Sequence, residues 1–393
     1  MLENQSSTEN KLEMMPNSNS VGLTPMMKQY LEIKEEYYEE ILFYRMGDFY
    51  EMFFNDAKVA SSVLDITLTK RGQWNNNDIP MCGIPFHSSE SYLSKLISNG
   101  YKVALCEQFN DLENDIKKNK GPMKRKVVRV ITPGTILEES FFDDNPNNFL
   151  CSWNEVNGSH SISWVDLSTG IFCVQKIDMN QSNAFETALE RLSPRELLMP
   201  LKMKEKKPNY FKGCVTFQAD SLFQSDVCEE RLKKFYKIKS LVAFGEFSRS
   251  CISTAGAILG YVSLTQKGKL PLLKKIKQWK SIEVMEIDIF SRKSLELLKT
   301  QSGEKNGSLF NAINQTLTSG GTRLLLERLN GPSLDKLEIN KRLDTVSNFV
   351  SENLLRKKIR DVLKLIPDIE RSLSRIQFDR GGPRDLISIK TGC

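Results

Sequence analysis

The chain has 393 residues, 40% hydrophobic and 26% charged, ordinary for a globular protein and long enough for two or three domains. Its formal net charge of +6 is a mild basic bias that permits nucleic-acid binding without requiring it. No stretch is apolar for long enough to cross a bilayer, the first twenty residues lack the apolar core of a secretory signal, and eight cysteines with no Cys-x-x-Cys pair and only two histidines argue against a zinc site, so buried thiols in a reducing, cytoplasmic setting are expected.

A polar leader over residues 1–22 is expected to be disordered. Thr24-Pro25 then reads as a helix cap and first-turn proline, and Tyr30, Leu31, Tyr37 and Ile41 line one face of the segment that this cap begins. Ile41 to Tyr44 suits a buried strand, and Gly47-Asp48 is a turn dipeptide. From Tyr50 onward Phe53, Phe54, Ala57, Ala60, Val63 and Leu64 fall at helical spacing. Phe49 is therefore expected at a strand-to-helix junction, where a side chain projects from a rigid base. Two readings stand for it. Asp48 and Glu51 form a capping box with Phe49 as its apolar neighbour, or an aromatic ring and a carboxylate two residues on are presented to a ligand.

Further strands are expected over residues 66–69, 79–84 and 102–106. Between the first two, Lys70-Arg71-Gly72 and the polar residues 73–78 read as a loop leaving the sheet, either touching a phosphate backbone or simply solvated. Ser88 or Ser89 is expected to cap a helix through Leu93, Leu96 and Ile97 that stops at Gly100. Residues 117–129 hold seven Lys or Arg and no acid, a solvated linker or a phosphate-facing connection. A similar basic run over 267–280 reads as solvated surface. These elements make a mixed α/β domain over 23–135.

A second α/β domain is expected over 136–270. It has strands at 150–153, 159–166 and 171–175 around a Leu167-Ser168-Thr169-Gly170 turn, then a helix at 184–192, a strand at 196–199 and helices at 225–235 and 254–265. Asp166 invites comparison with a nuclease carboxylate, but two-metal chemistry needs several converging acids and no second one is similarly placed. From residue 283 to 393 apolar residues at three-and-four spacing, broken at Gly303, Gly320-Gly321, Gly331-Pro332 and Pro367, describe an all-helical region. Gly320-Gly321-Thr322-Arg323 lacks the rest of a phosphate-binding loop and reads as a helix start. No Walker A motif occurs anywhere in the chain.

Several motifs occur in order: Phe43-Tyr44-Arg45-Met46-Gly47-Asp48-Phe49-Tyr50-Glu51, Leu64-Asp65-Ile66-Thr67-Leu68-Thr69-Lys70-Arg71-Gly72, Ile79-Pro80-Met81-Cys82-Gly83-Ile84-Pro85-Phe86-His87 and Val130-Ile131-Thr132-Pro133-Gly134-Thr135. Together they resemble the amino-terminal half of the MutS family of DNA mismatch-repair proteins, from about Leu23 to about Leu386. The resemblance implies a mismatch-recognition domain, an RNase H-like connector and the start of a helical core. It implies that Phe49 wedges against a mispaired base in the minor groove while Glu51 hydrogen-bonds to it, with Lys70 and Arg71 as further DNA contacts. The implied partner is double-stranded DNA with mismatched or looped-out bases. Full-length members also form homodimers, recruit downstream repair factors, and bind and hydrolyse ATP with magnesium through a carboxy-terminal domain that this chain lacks. No catalytic residue, cofactor or metal site is therefore expected in these 393 residues, which read as a truncated form whose helical part is left with unburied apolar stripes and folds poorly beside two independent domains. The alternatives are an RNase H-type nuclease or a recombination relative of the family that does not read mismatches; relatives of that kind typically lack the Phe-x-Glu pair.

Overall fold

The computed structural model describes residues 20, 22–109, 123–137, 147–180, 183–280 and 283–393. The expected disordered leader lies almost wholly outside these residues, as do residues 117–122 of the basic run. The chain divides into two units, the first of residues up to 133 with 265–268, the second of 134–264 with 269–393.

In the first unit helix α1 (Pro25–Glu36) starts as the sequence predicts, with the Met27 N–H donating to Thr24 Oγ1 at 3.3 Å. Six strands come next, β1 (Ile41–Met46), β2 (Phe49–Phe53), β3 (Thr69–Trp74), β4 (Asn77–Pro85), β5 (Val103–Gln108) and β6 (Arg125–Ile131), in the order β3-β4-β2-β1-β5-β6. The β1–β5 pair is parallel and the rest antiparallel. Helices α2 (Phe54–Leu64) and α3 (Ser89–Ser98) complete the unit.

Because side chains alternate along a strand, pairing assigns residues to faces. Leu42, Tyr44, Phe53, Ala104 and Cys106 share one face with Tyr30 of α1 in a single apolar cluster. The Tyr30 ring meets Tyr44 at 5.4 Å and Phe53 at 5.0 Å, both edge to face. The opposite parity buries Phe43, Met52, Cys82 and Ile84, and there the Cys82 thiol donates to the Ala57 carbonyl of α2 at 3.4 Å. A buried ion pair, Lys34 Nζ to Asp56 Oδ1 at 3.0 Å, ties α1 to α2.

Three sequence expectations are corrected here. Phe49 does not stand at a strand-to-helix junction: it opens β2, and the helix begins only at Phe54. The reason is that Tyr50 and Met52 bury while Phe49 and Glu51 do not, a period of two hidden inside the apolar run. The Asp48–Glu51 capping box is absent; Asp48 sits in the β1–β2 turn, its carbonyl accepting from Phe86 N–H at 2.8 Å. The expected loop from Lys70 to Asp78 is a hairpin, β3 turning into β4 through Asn75-Asn76, both with positive φ. Its strand starts at Thr69, where the expected strand ended. The described end of the basic run is also strand, β6, and its Arg129 is buried.

The second unit is built on strands β7 (Phe149–Val156), β8 (Ser159–Asp166), β9 (Ile171–Ile177), β10 (Glu196–Pro200), β11 (Cys214–Gln218) and β12 (Lys277–Gln278), ordered β11-β10-β7-β8-β9-β12. Helix α4 (Ala184–Leu192) packs Phe185, Leu189 and Leu192 against Trp153, Trp164 and Leu197. Helices α5 (Ser225–Tyr236) and α6 (Arg249–Thr265) contribute to a second cluster with Leu150, Val165, Phe172 and Leu198. The strand parities of the two sets are opposite, so the sheet is covered on both faces. The 283–393 region is helical, as expected: α7 (Ile289–Ser294), α8 (Leu309–Ile313), α9 (Ser319–Asn330), α10 (Lys336–Ser351), α11 (Asn353–Leu363), α12 (Ile369–Gln377) and α13 (Pro383–Gly392). The Gly320-Gly321 step is inside the first turn of α9, whose Thr318 cap accepts from Gly321 N–H at 3.0 Å. Phe378, just after α12, belongs to the same apolar cluster as Leu150 and Val165. No helix among the described residues is long and apolar enough to cross a membrane.

Candidate nucleic-acid interface

Helix α1 covers only part of its face of the first sheet. Met46 pairs with Phe49, and Phe49 with Pro85; Tyr44 pairs with Glu51, and Glu51 with Gly83. Phe49 and Glu51 thus continue the face occupied by Tyr44 and Phe53. At that end Phe49 is 48% exposed, a large apolar ring held on a β-hairpin rather than sealed in a core. The position is rigid because both flanking strands are paired. On the opposite face Arg45 stacks on the half-exposed Phe86 ring, 3.4 Å from its centroid, and the Tyr50 hydroxyl donates to Glu107. Burial, reinforced by that hydrogen bond to Glu107, pushes the Tyr50 phenol far above its usual range.

Four charged residues on this sheet bear on the site. Glu51 is two residues along β2 on the same face, and both of its carboxylate oxygens accept from Arg71 Nη1. Lys70 is the neighbour of Arg71 on β3 and so points to the other side, its ammonium 2.7 Å from Asp78. The structure therefore brings Glu51 and Arg71 together, with Phe49 two residues along the same face, and leaves Lys70 apart from them. The fourth is Arg125, which sequence reading missed as an individual residue. On β6 it pairs with Gln108 of β5, its Nε donates to the Arg45 carbonyl at 2.8 Å, its Nη1 donates to Gln29 Oε1 at 3.2 Å, and its guanidinium lies 4.8 Å from the Tyr44 ring. The signal available was an arginine at the start of a β-branched run, Arg125-Lys126-Val127-Val128, inside the basic segment. Gly83 was also readable, as an isolated glycine in a strand.

In the second unit Asp166 is fully buried, and its Oδ1 accepts from the Ser168 N–H at 2.9 Å and hydroxyl at 2.6 Å. Those bonds cap the β8–β9 turn. Burial raises its carboxyl above the usual range. Among the described residues no group of three His, Cys, Asp or Glu is placed to hold a metal ion.

Three family models match in succession: MutS domain I over residues 24–140, MutS domain II over 148–274 and MutS domain III over 291–393. The chain belongs to the MutS family. It is 46% identical over 375 residues to the DNA mismatch repair protein MutS of Wolbachia pipientis wMel, a match covering 94% of this chain and 44% of the relative. The proteins of the same name from Ruegeria pomeroyi and Dinoroseobacter shibae are 43% and 42% identical, over 94% and 95% of this chain. The chain thus spans well under half the length of these MutS relatives, 42–44%. The Phe-x-Glu pair lies within the match to domain I.

Proposed function

We propose that this chain is the mismatch-reading part of a DNA mismatch repair protein, in which Phe49 wedges into the minor groove beside a mispaired or looped-out base and Glu51 accepts a hydrogen bond from its edge. The observation that carries the reading is the exposure of Phe49 at the uncovered end of the sheet face, with Glu51 in register beside it. An inserted apolar wedge unstacks a base step at a cost of about a few kcal/mol. A mispair has already lost part of its stacking, so the same kink costs less there. A carboxylate adds no general affinity for phosphates; it serves to select what the wedge exposes.

The supporting frame is a mismatch-recognition domain over 23–135, an RNase H-like connector over 136–270 and a helical core region from 283, boundaries that lie close to those of the three family matches. Arg71 and Lys70 supply phosphate contacts in this reading. In this reading the ATP and magnesium chemistry and the main homodimer interface belong to the family's carboxy-terminal part, so no catalytic role is assigned to these residues; downstream repair factors are partners of the full-length protein, and the cytoplasm is the working compartment. The test is a competition assay between mismatched and fully paired duplex at fixed salt. Phe49→Ala should bring the preference close to one, and Glu51→Gln should weaken discrimination more than bulk affinity. Wild-type preference in both variants would sink the assignment.

A further inference from the structure

Under the mismatch-reading function Glu51 has to meet a base edge, yet in the free protein both of its oxygens are taken by one guanidinium nitrogen of Arg71. The pair is built in. Glu51 lies over Gly83, where a Cβ would come within 3.8 Å of its Cγ, so a branched side chain at that position would stand in its path. Arg71 comes from an edge strand whose register shifts between Lys70 and Gln73, around a Gly72 of φ +76. A bulge of this kind re-aims a side chain. The carboxylate side chain is only 13% exposed, whereas the Arg71 side chain is 43% exposed. An ion pair open to solvent on one side is weak enough to exchange partners.

We propose that Arg71 masks Glu51 in the free protein and on fully paired DNA, and that the two exchange partners at a mismatch, Arg71 passing to a backbone phosphate as Glu51 turns to the exposed base edge. Arg71 is then a specificity-determining residue that acts through Glu51. On paired duplex no base edge competes for the carboxylate, the mask stays closed, and the reading face presents no bare anion to the phosphates. At a mismatch both partners gain a contact. Guanidinium suits the exchange because it binds carboxylate and phosphate with the same fork of donors.

The proposal rests on the mismatch-reading function, and its test separates the two. Arg71→Met, Glu51→Gln and the double variant of the full chain are compared on paired and mismatched duplexes across a salt series, with wild type and Phe49→Ala alongside. Arg71→Met alone should lower affinity for paired duplex about tenfold, through the unmasked anion, but no more than about twofold when combined with Glu51→Gln. On mismatched duplex, Arg71→Met should reduce the salt slope by about one; on paired duplex it should leave the slope unchanged. Gly83→Val, which displaces Glu51 without removing a charge, should lose affinity for paired duplex in the same way and be rescued by Glu51→Gln. Equal losses with and without Glu51→Gln, for either variant, overturn the mask. If wild type shows no mismatch preference, or Phe49→Ala retains it, the mismatch-reading function itself fails.

Discussion

At the scale of single residues, the first unit depends on buried polar chemistry as well as on its apolar cluster. Lys34 and Asp56 are each about 5% exposed or less, and the Asp56 carboxylate also accepts from the Leu42 N–H of β1 at 2.9 Å. Burial raises the Asp56 carboxyl above its usual range, and Lys34 is the first of the groups that oppose the shift. Removing one partner of such a pair leaves an uncompensated buried charge, which costs about 3–5 kcal/mol. Lys34→Met should therefore destabilise the chain by about 3 kcal/mol in urea denaturation. Linkage gives the sign with pH. A carboxyl with a raised folded-state pKa favours the folded state below its unfolded pKa and loses that contribution as pH rises through the folded pKa. The deficit of Lys34→Met relative to wild type should shrink as pH is lowered from 7 towards 5, and a deficit independent of pH would show that the charge on Asp56 is not its cause.

At the scale of elements, the β1–β2 hairpin carries the ring, and its geometry shows what was legible in the sequence. The motif around Phe49 was readable because chemically unusual neighbours, an aromatic and an acid in a basic chain, occur together. The element beneath it was misread because Phe53 adjoins the true helix and Phe54 opens it, so their apolar spacing runs on into α2. Phe54 itself has φ +53, so the chain switches from strand to helix through a conformation that propensity does not anticipate. Strand β3 was invisible to periodicity since an edge strand exposed on both sides shows no alternation; the Asn75-Asn76 turn was the better signal. In the second unit β8, β10 and α4 were read nearly residue for residue and β7 and β9 in part, the turns being marked by Gly158 and Gly170, whereas β11 and the two-residue β12 were missed. The tie that no local pattern shows is Arg125, which reaches from β6 to the Arg45 carbonyl at the end of β1, one residue before the Met46–Phe49 pair. A charge-assisted bond to a carbonyl contributes about 1.5–3 kcal/mol. Arg125→Met should accelerate amide exchange over residues 45–50 and lower the mismatch preference several-fold while leaving Phe49 in place. Unchanged exchange there would mean that strand pairing alone holds the ring.

At the scale of the whole chain, the sequence suggested that residues after about 283 fold poorly as a block. The structure divides them differently. Phe378 is 4% exposed within the cluster that holds Leu150 and Val165, the Ser374 hydroxyl donates to the Leu167 carbonyl at 2.7 Å, and Arg323 forms bonds of 2.6 and 3.0 Å with Asp368. These contacts make α12 part of the second unit's core. Helices α10 and α11 contrast with it: Leu337 is 80% exposed, Leu354 79% and Val362 60%, and neither helix has a buried residue. Most helical stability comes from packing an apolar face, which these two helices lack. Local stability should therefore be lowest between about 334 and 366, not from 283 onward. Limited proteolysis of the full chain should cut first within 334–366, and the fragment containing 367–393 should stay bound to the rest on gel filtration. A first cut near residue 283 with loss of everything after it would instead mean that α12 draws no stability from the second sheet, and that the helical region stands or falls as one piece.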